Sequence, residues 1–105
     1  KVFIYLSDVN HSAGPHSFVA KTNIKKTFRH IVAERIDDTE ITKFYDKESI
    51  KVFEGKEGNI IVEDTFGLHK GSPPINQSRI MLILIYGHGL GIDIYKNPLI
   101  KVSNK

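Results

Sequence analysis

Histidine and arginine side chains are the groups in this chain best suited to bind a metal or an anion. The 105 residues include five histidines and no cysteine, so any metal must bind to His, Asp or Glu side chains or to backbone oxygen. His69 stands two positions before Gly71, and Arg79 follows ten positions after His69. The planar guanidinium of Arg79 suits a carboxylate, because it donates two parallel hydrogen bonds and stays charged. Taken alone, His69 is typical of a surface or hydrogen-bonded histidine, and Arg79 of a residue that flanks a strand and reaches water.

The histidines do not form a metal site that spacing alone would reveal. A His followed two positions later by Asp or Glu places both side chains on one face of a strand. Here the residues at that second position are Ala13, Phe18, Val32, Gly71 and Leu90. His11 and His16 are separated by the Gly14-Pro15 turn, and their spacing matches no metal-binding pattern. A ligand set must therefore draw on more distant residues.

Short apolar segments divided by glycine and proline predict a mainly β fold. The strand predictions are Val2 to Leu6, Ile50 to Phe53, Ile60 to Val62 and Arg79 to Tyr86. The glycine-rich segment Gly55 to Asn59 predicts a hairpin between the second and third of these strands. Period two places Phe3 and Tyr5 on one face of the first strand, so both are expected in the interior, as core residues or as the lining of a ligand pocket.

The remaining segments predict one helical insertion and a weak C-terminal element. Lys21 to Ile50 is polar, and within it Asp38 or Thr39 is expected to cap a short helix. Ile41, Phe44 and Tyr45 would share one face of that helix. Residues 92–102 predict an edge strand or a tail, interrupted by a proline. Together these elements predict a single domain over residues 1–105, a β sandwich or barrel with a short helical insertion.

Composition restricts the classes of partner. With 40% hydrophobic and 26% charged residues, the chain is expected to fold as a globular domain. The net charge of +3 comes largely from one local basic stretch, which predicts a solvated surface and no nucleic-acid partner. The longest apolar run, Ile80 to Tyr86, is far shorter than the roughly 20 residues of a membrane helix. A cytoplasmic location is the corresponding expectation.

Three segments, taken in order, carry a resemblance to a known family. They are Val2 to Val9 with Gly14-Pro15, Gly58 to Thr65, and Leu68 to Gly71 continuing to Arg79. Their order and separation resemble the second half of the phytanoyl-CoA dioxygenase family, over about residues 1 to 87. The resemblance implies a partial double-stranded β-helix of the jelly-roll or cupin-like kind.

The resemblance also implies a chemistry and its residues. Enzymes of this family hold Fe(II) with a His-x-Asp pair and a distant His, and they leave positions open for 2-oxoglutarate and oxygen. His69 would be the distant metal ligand, and Arg79 would bind the far carboxylate of 2-oxoglutarate. Phe3 and Tyr5 would line the cosubstrate or substrate pocket. The implied activity is hydroxylation of a small-molecule substrate.

The sequence departs from the family at two places. In the family the His-x-Asp pair lies shortly before the strand that corresponds to Val2 to Leu6, so the expectation is a fragment whose pair precedes Lys1. The usual Pro-Gly-Ser-His after the Gly-Pro turn is replaced by Ala20-Lys21-Thr22-Asn23. Asp8 and Asn10, before that turn, are expected to cap it or to approach substrate.

Three functions remain open at this point. The first is the oxygenase, completed by ligands from elsewhere. The second is a catalytically inactive β-sandwich module that binds a small molecule or a partner protein, which the absent His-x-Asp pair favours. The third is a homo-oligomer formed through exposed strand edges.

Overall fold

The structure, a computed structural model, describes residues 1–32 and 36–87. Within these residues the chain is mainly β, as predicted. The strands are β1 (Val2–Tyr5), β2 (His16–Val19), β3 (Ile50–Phe53), β4 (Ile60–Val62), β5 (His69–Gly71) and β6 (Met81–Leu84). The helices are α1 (Phe28–Val32) and α2 (Asp38–Phe44), with short 3-10 helices at His11–Ala13 and Lys47–Ser49.

The strands form two antiparallel sheets of three strands each. The first sheet has the order β4-β1-β6, and the second has the order β3-β2-β5. In the first sheet Phe3 stands opposite both Ile61 and Ile83. In the second sheet His16 stands opposite Phe53 and Gly71. Phe3, His16 and Phe53 point to the space between the sheets, because side chains alternate along each strand.

The two sheets face each other across a small core. The ring of Phe3 lies 4.5 Å from the ring of His16, centroid to centroid, and the Tyr5 hydroxyl donates to the Phe53 carbonyl at 2.7 Å. Tyr5 packs with Val9 and Ala13 in the buried cluster. Phe3 and Tyr5 are 4% and 1% exposed, which confirms that their face of β1 is interior.

The predicted β3–β4 hairpin is wrong, since the two strands belong to different sheets. The segment between them crosses from one sheet to the other and is held against the end of β1. Gly58 donates its backbone N–H to the Tyr5 carbonyl at 2.8 Å, and Val9 pairs with Gly55. Gly58 has φ 86°, as a turn glycine should. The turn itself was predicted correctly.

Other boundaries differ by small amounts. The predicted helix is present as α2, but its N-cap is Asp37 rather than Asp38 or Thr39. β6 occupies only the middle of the predicted strand Arg79 to Tyr86. Residues 92–102, predicted as an edge strand or tail, lie outside the described residues. None of the helices in residues 1–32 and 36–87 has the length and apolar character that crossing a membrane requires.

Replacing Tyr5 by Phe tests the hydrogen bond that joins the sheets. The ring would remain buried, but the Phe53 carbonyl would lose its partner. We expect Tyr5→Phe to lower the free energy of unfolding by about 1–2 kcal/mol, measured by urea denaturation. Tyr86→Phe is the matched control, because Tyr86 is 72% exposed. Equal effects of the two substitutions would contradict this role of Tyr5.

Candidate functional site

Two histidines meet on the interior face of the second sheet. His16 lies on β2 and His69 on β5, and the antiparallel register places Phe18 opposite His69. His16 and Phe18 share a face, since they are two positions apart. The two imidazole rings consequently lie close together, with 5.9 Å between their centroids.

Glu63 reaches this pair from the first sheet. It follows β4, and period two places it on the same side as Ile61, toward the interior. Its Oε2 lies 2.8 Å from His16 Nε2, and the two side chains are only 6% and 3% exposed. A carboxylate accepts hydrogen bonds, so His16 Nε2 is the donor. The bond joins the two sheets inside the core.

The second oxygen of Glu63 has no partner among the described residues. Glu63 Oε1 is buried and accepts no hydrogen bond. His69 Nδ1 lies 4.0 Å away, too far for a hydrogen bond. An unpartnered buried carboxylate oxygen is costly, so this atom marks a place where a further donor or cation would be stabilising.

His69 is oriented by a backbone carbonyl. Its Nδ1 lies 2.9 Å from the carbonyl oxygen of Gly67, which can only accept, so Nδ1 carries the proton. In neutral His69 the Nε2 lone pair is then free, the arrangement that metal-bound histidines commonly show. The side chain is 25% exposed, and a ligand could therefore reach it.

The charge around His16 is set by burial. Desolvation lowers the pKa of His16, although the hydrogen bond from its ring to Glu63 opposes this, and the nearby His69 and Arg79 lower it further. Burial also raises the pKa of the Tyr5 hydroxyl, against the opposing effect of Arg79. Both side chains are thus held in their neutral forms near pH 7.

Arg79 lies beside Gly71 of β5. Its Nη1 donates to the carbonyls of Ala13 at 3.2 Å and Ser72 at 3.0 Å. Two glycines leave room for the guanidinium: a Cβ at Gly71 would be 2.7 Å from Nη2, and one at Gly14 would be 2.7 Å from Nη1. Within residues 1–32 and 36–87 no Asp or Glu forms an ion pair with Arg79. A cation left without an acidic partner favours an anionic ligand.

A cavity of about 390 Å³ opens along β4, lined by Phe18 and Phe53 of the second sheet and by residues 60–64. A wider groove of about 1180 Å³ lies against the second sheet, near the helices, and His69 reaches its wall. Phe3 and Tyr5 line neither space. They form the core behind His16.

A complete metal centre does not fit this part of the chain. Within residues 1–32 and 36–87, no three His, Asp or Glu side chains are arranged to hold a metal ion. His69 fits the requirements of a single ligand, whereas His16 uses Nε2 to donate to Glu63. His11 is exposed on a 3-10 helix and is separate from buried His16.

Asp8 and Asn10 have structural partners. Asn10 Oδ1 accepts from the backbone N–H groups of Ser12 and Ala13, which caps the first 3-10 helix. Asp8 accepts from Lys56 at 2.7 Å, and this hydrogen bond lowers the pKa of the Asp8 carboxyl. The capping alternative is confirmed for Asn10.

A second polar cluster, which no sequence pattern predicted, lies in the helical insertion. His30 Nδ1 is 3.0 Å from the Tyr45 hydroxyl, and His30 Nε2 is 3.3 Å from Glu40. Arg29 pairs with the same carboxylate at 2.9 Å. These contacts tie α1 to the end of α2, so we assign them a structural role.

Stability should fall as His16 becomes protonated. The pKa of His16 is lowered in the folded chain from its ordinary 6.5, so folding favours the neutral ring. That contribution is complete above about pH 6.5 and is lost as pH falls toward the folded-state pKa, with a slope of at most about 1.4 kcal/mol per pH unit. We expect His16→Gln to flatten this dependence below about pH 6.5, measured by urea denaturation. His11→Gln, an exposed control, should leave it unchanged; an unaltered slope in His16→Gln would refute the assignment.

No protein-family model matches this chain, and no curated protein or solved structure matches it either. The chemistry of Arg79, His69 and Glu63 is therefore what bears on function.

Proposed function

We propose that this chain is the C-terminal part of an iron(II)- and 2-oxoglutarate-dependent oxygenase domain, in which Arg79 binds the far carboxylate of 2-oxoglutarate and His69 supplies one iron ligand. One observation carries the proposal. The Arg79 guanidinium lies against Gly71, two positions after His69 on the same face of β5. A carboxylate-binding group and a metal-binding group therefore stand at neighbouring places on one strand.

The geometry of Arg79 suits a carboxylate. Nη1 is occupied by the carbonyls of Ala13 and Ser72, which fix the plane of the guanidinium. The edge formed by Nε and Nη2 remains for two parallel hydrogen bonds to a ligand. An arginine fixed in this way loses little side-chain entropy on binding.

His69 suits a metal through its Nε2, because its Nδ1 donates to the Gly67 carbonyl and the Nε2 lone pair is left for a ligand. Bound iron(II) would supply the activation of oxygen that hydroxylation requires. The described residues provide one such ligand, so the others have to come from outside residues 1–32 and 36–87. The chain itself orients the His69 imidazole, which lies beside the ring of His16 and on a strand where His69 pairs with Phe18 of β2.

The connectivity supports a double-stranded β-helix. From β3 to β6, each successive strand lies in the opposite sheet, as expected where two facing sheets are wound together. A second observation comes from residues 20–23, which replace the family's Pro-Gly-Ser-His. Lys21, at the position of the family's glycine, has φ 67°, a left-handed conformation that favours glycine. Thr22, at the position of the serine, donates to Val19 and accepts from the Leu68 N–H.

The substrate would be a small molecule. The groove of about 1180 Å³ that His69 lines has aromatic and aliphatic side chains among its walls, which suits a small molecule.

A second candidate is a β-sandwich module that binds a small carboxylate without catalysis. It is favoured by the lack of a three-residue metal group among the described residues. The two candidates share Arg79 as the carboxylate site and differ in whether His69 binds a metal.

Titration with 2-oxoglutarate, with and without Mn²⁺ as a redox-inert substitute for iron, tests the proposal. We expect calorimetry or NMR shifts to report binding of 2-oxoglutarate, and we expect Mn²⁺ to tighten it. Arg79→Lys should weaken this binding by roughly tenfold or more, because a bidentate contact is lost. Arg29→Lys is the matched control, since Arg29 is exposed and lies at the helical insertion.

His69→Ala separates the two candidates. In the oxygenase it should abolish the effect of Mn²⁺ and leave the weaker, metal-independent binding, whereas His11→Ala should change neither. Binding that never responds to Mn²⁺ would mean that the residues of this chain do not complete a metal site, the result that the inactive module predicts. If 2-oxoglutarate fails to bind in either condition, Arg79 is not a 2-oxoglutarate site and the oxygenase proposal is refuted.

Gly71→Ala probes the position of the guanidinium. A Cβ at residue 71 would lie 2.7 Å from Arg79 Nη2, so the flexible side chain must move while the strand is kept. We expect a several-fold loss of 2-oxoglutarate affinity with a change in unfolding free energy of about 1 kcal/mol or less. Gly87→Ala is the control, because a Cβ there meets no atom within 4 Å. An unchanged affinity in Gly71→Ala would argue against Arg79 as the carboxylate site.

A further inference from the structure

The first sheet has an outer face made entirely of aliphatic side chains. On β1, Val2 and Ile4 alternate with the buried Phe3 and Tyr5. Their cross-strand neighbours on β4 and β6 have the same character, and Leu6 and Ile80 extend the face at one end. This surface, the outer aliphatic face, consists of Val2, Ile4, Leu6, Ile60, Val62, Ile80, Leu82 and Leu84.

The outer aliphatic face is largely open to solvent. Ile60, Val62 and Ile80 are 61%, 76% and 62% exposed. Leu82 and Leu6 are exposed as well, and the other three are partly buried. An antiparallel sheet that faced water would carry polar residues at these positions. A sheet with one solvated face alternates apolar and polar residues along each strand, and that alternation is absent here. This face therefore needs an apolar surface to cover it.

The area of the face fits a second copy of this chain. Its eight side chains expose on the order of 600 Å², at the upper end of the largest patches on monomeric proteins. Two such faces in contact would bury on the order of 1,200 Å², the lower end of stable, specific interfaces. The face also lacks charged side chains, so two copies can meet without bringing like charges together.

We propose that two copies of this chain associate face to face through the outer aliphatic face, related by a two-fold axis. A uniformly apolar sheet face can pack against its own copy, and a two-fold axis brings the same patch from both chains together. The strands of the paired sheets would cross at the moderate angle that sheet twist imposes. The groove that His69 lines contains none of the eight residues of this face and stays accessible in such a dimer.

The oligomeric state at increasing concentration tests this proposal. We expect sedimentation equilibrium of the whole chain to show a saturable monomer–dimer equilibrium. Ile60→Lys should raise the dissociation constant at least tenfold, because a charge would have to be buried without a partner. Ile24→Lys is the matched control: Ile24 is 86% exposed and is not one of the eight residues of this face. Should Ile60→Lys fail to fold, Val62→Lys provides the same test at a more exposed position.

Disulfide cross-linking identifies the face. The chain has no cysteine, so a single substitution gives a protein with one thiol at a known position. Ile4→Cys lies at the middle of the central strand, near the expected two-fold axis, and should form a linked dimer on mild oxidation. Ile24→Cys should not. A wild-type monomer at all concentrations would overturn the proposal and mean that another segment or another protein covers the face. A dimer insensitive to both lysine variants, or growth beyond the dimer, would overturn it as well.

Discussion

The hydrogen bond between His16 and Glu63 is the interaction on which the described structure depends most. It joins the second sheet to the first at 2.8 Å, with both side chains almost wholly buried. Removal of one member of a buried, hydrogen-bonded pair leaves the other without a partner and commonly costs several kcal/mol. The Tyr5–Phe53 hydrogen bond and the Phe3–His16 ring contact lie on either side of it. The face-to-face arrangement of the two sheets is thus stabilised by polar as much as by apolar contacts.

A small core explains why polar groups that stabilise the fold lie beside the proposed functional groups. Only five hydrophobic side chains are fully buried among the described residues, and the polar cluster fills the space that a larger protein would give to aliphatic residues. His16 and Glu63 hold the sheets together and also determine the electrostatic environment of His69. Substitution at either position would therefore change stability and ligand binding together, which is why His69 and Arg79 are more informative positions for testing function.

Local patterns in the sequence predicted part of this arrangement. Ile50 to Phe53 and Ile60 to Val62 were predicted with the observed bounds, because β-branched residues are concentrated there and turn residues follow. Period two placed Phe3 and Tyr5 correctly in the interior. The hairpin between β3 and β4 was wrong because turn chemistry does not determine which sheet the next strand joins. The partnership of His16 with Glu63 could not be predicted either: alternation from Ile61 placed Glu63 on one face of its strand, but nothing local shows that this face is interior.

The order of strands in the first sheet has a consequence for how the chain folds. β1 lies near the start of the sequence, yet its neighbours are β4 and β6, the second of which begins at Met81. During synthesis both edges of the apolar strand β1 stay unpaired until β4 has been made. Pairing between such distant segments has a large loop-closure cost, so folding is slow compared with a helical protein of this size. In that interval β1 exposes unpaired backbone and aliphatic side chains, and a nascent chain is most prone to aggregate there.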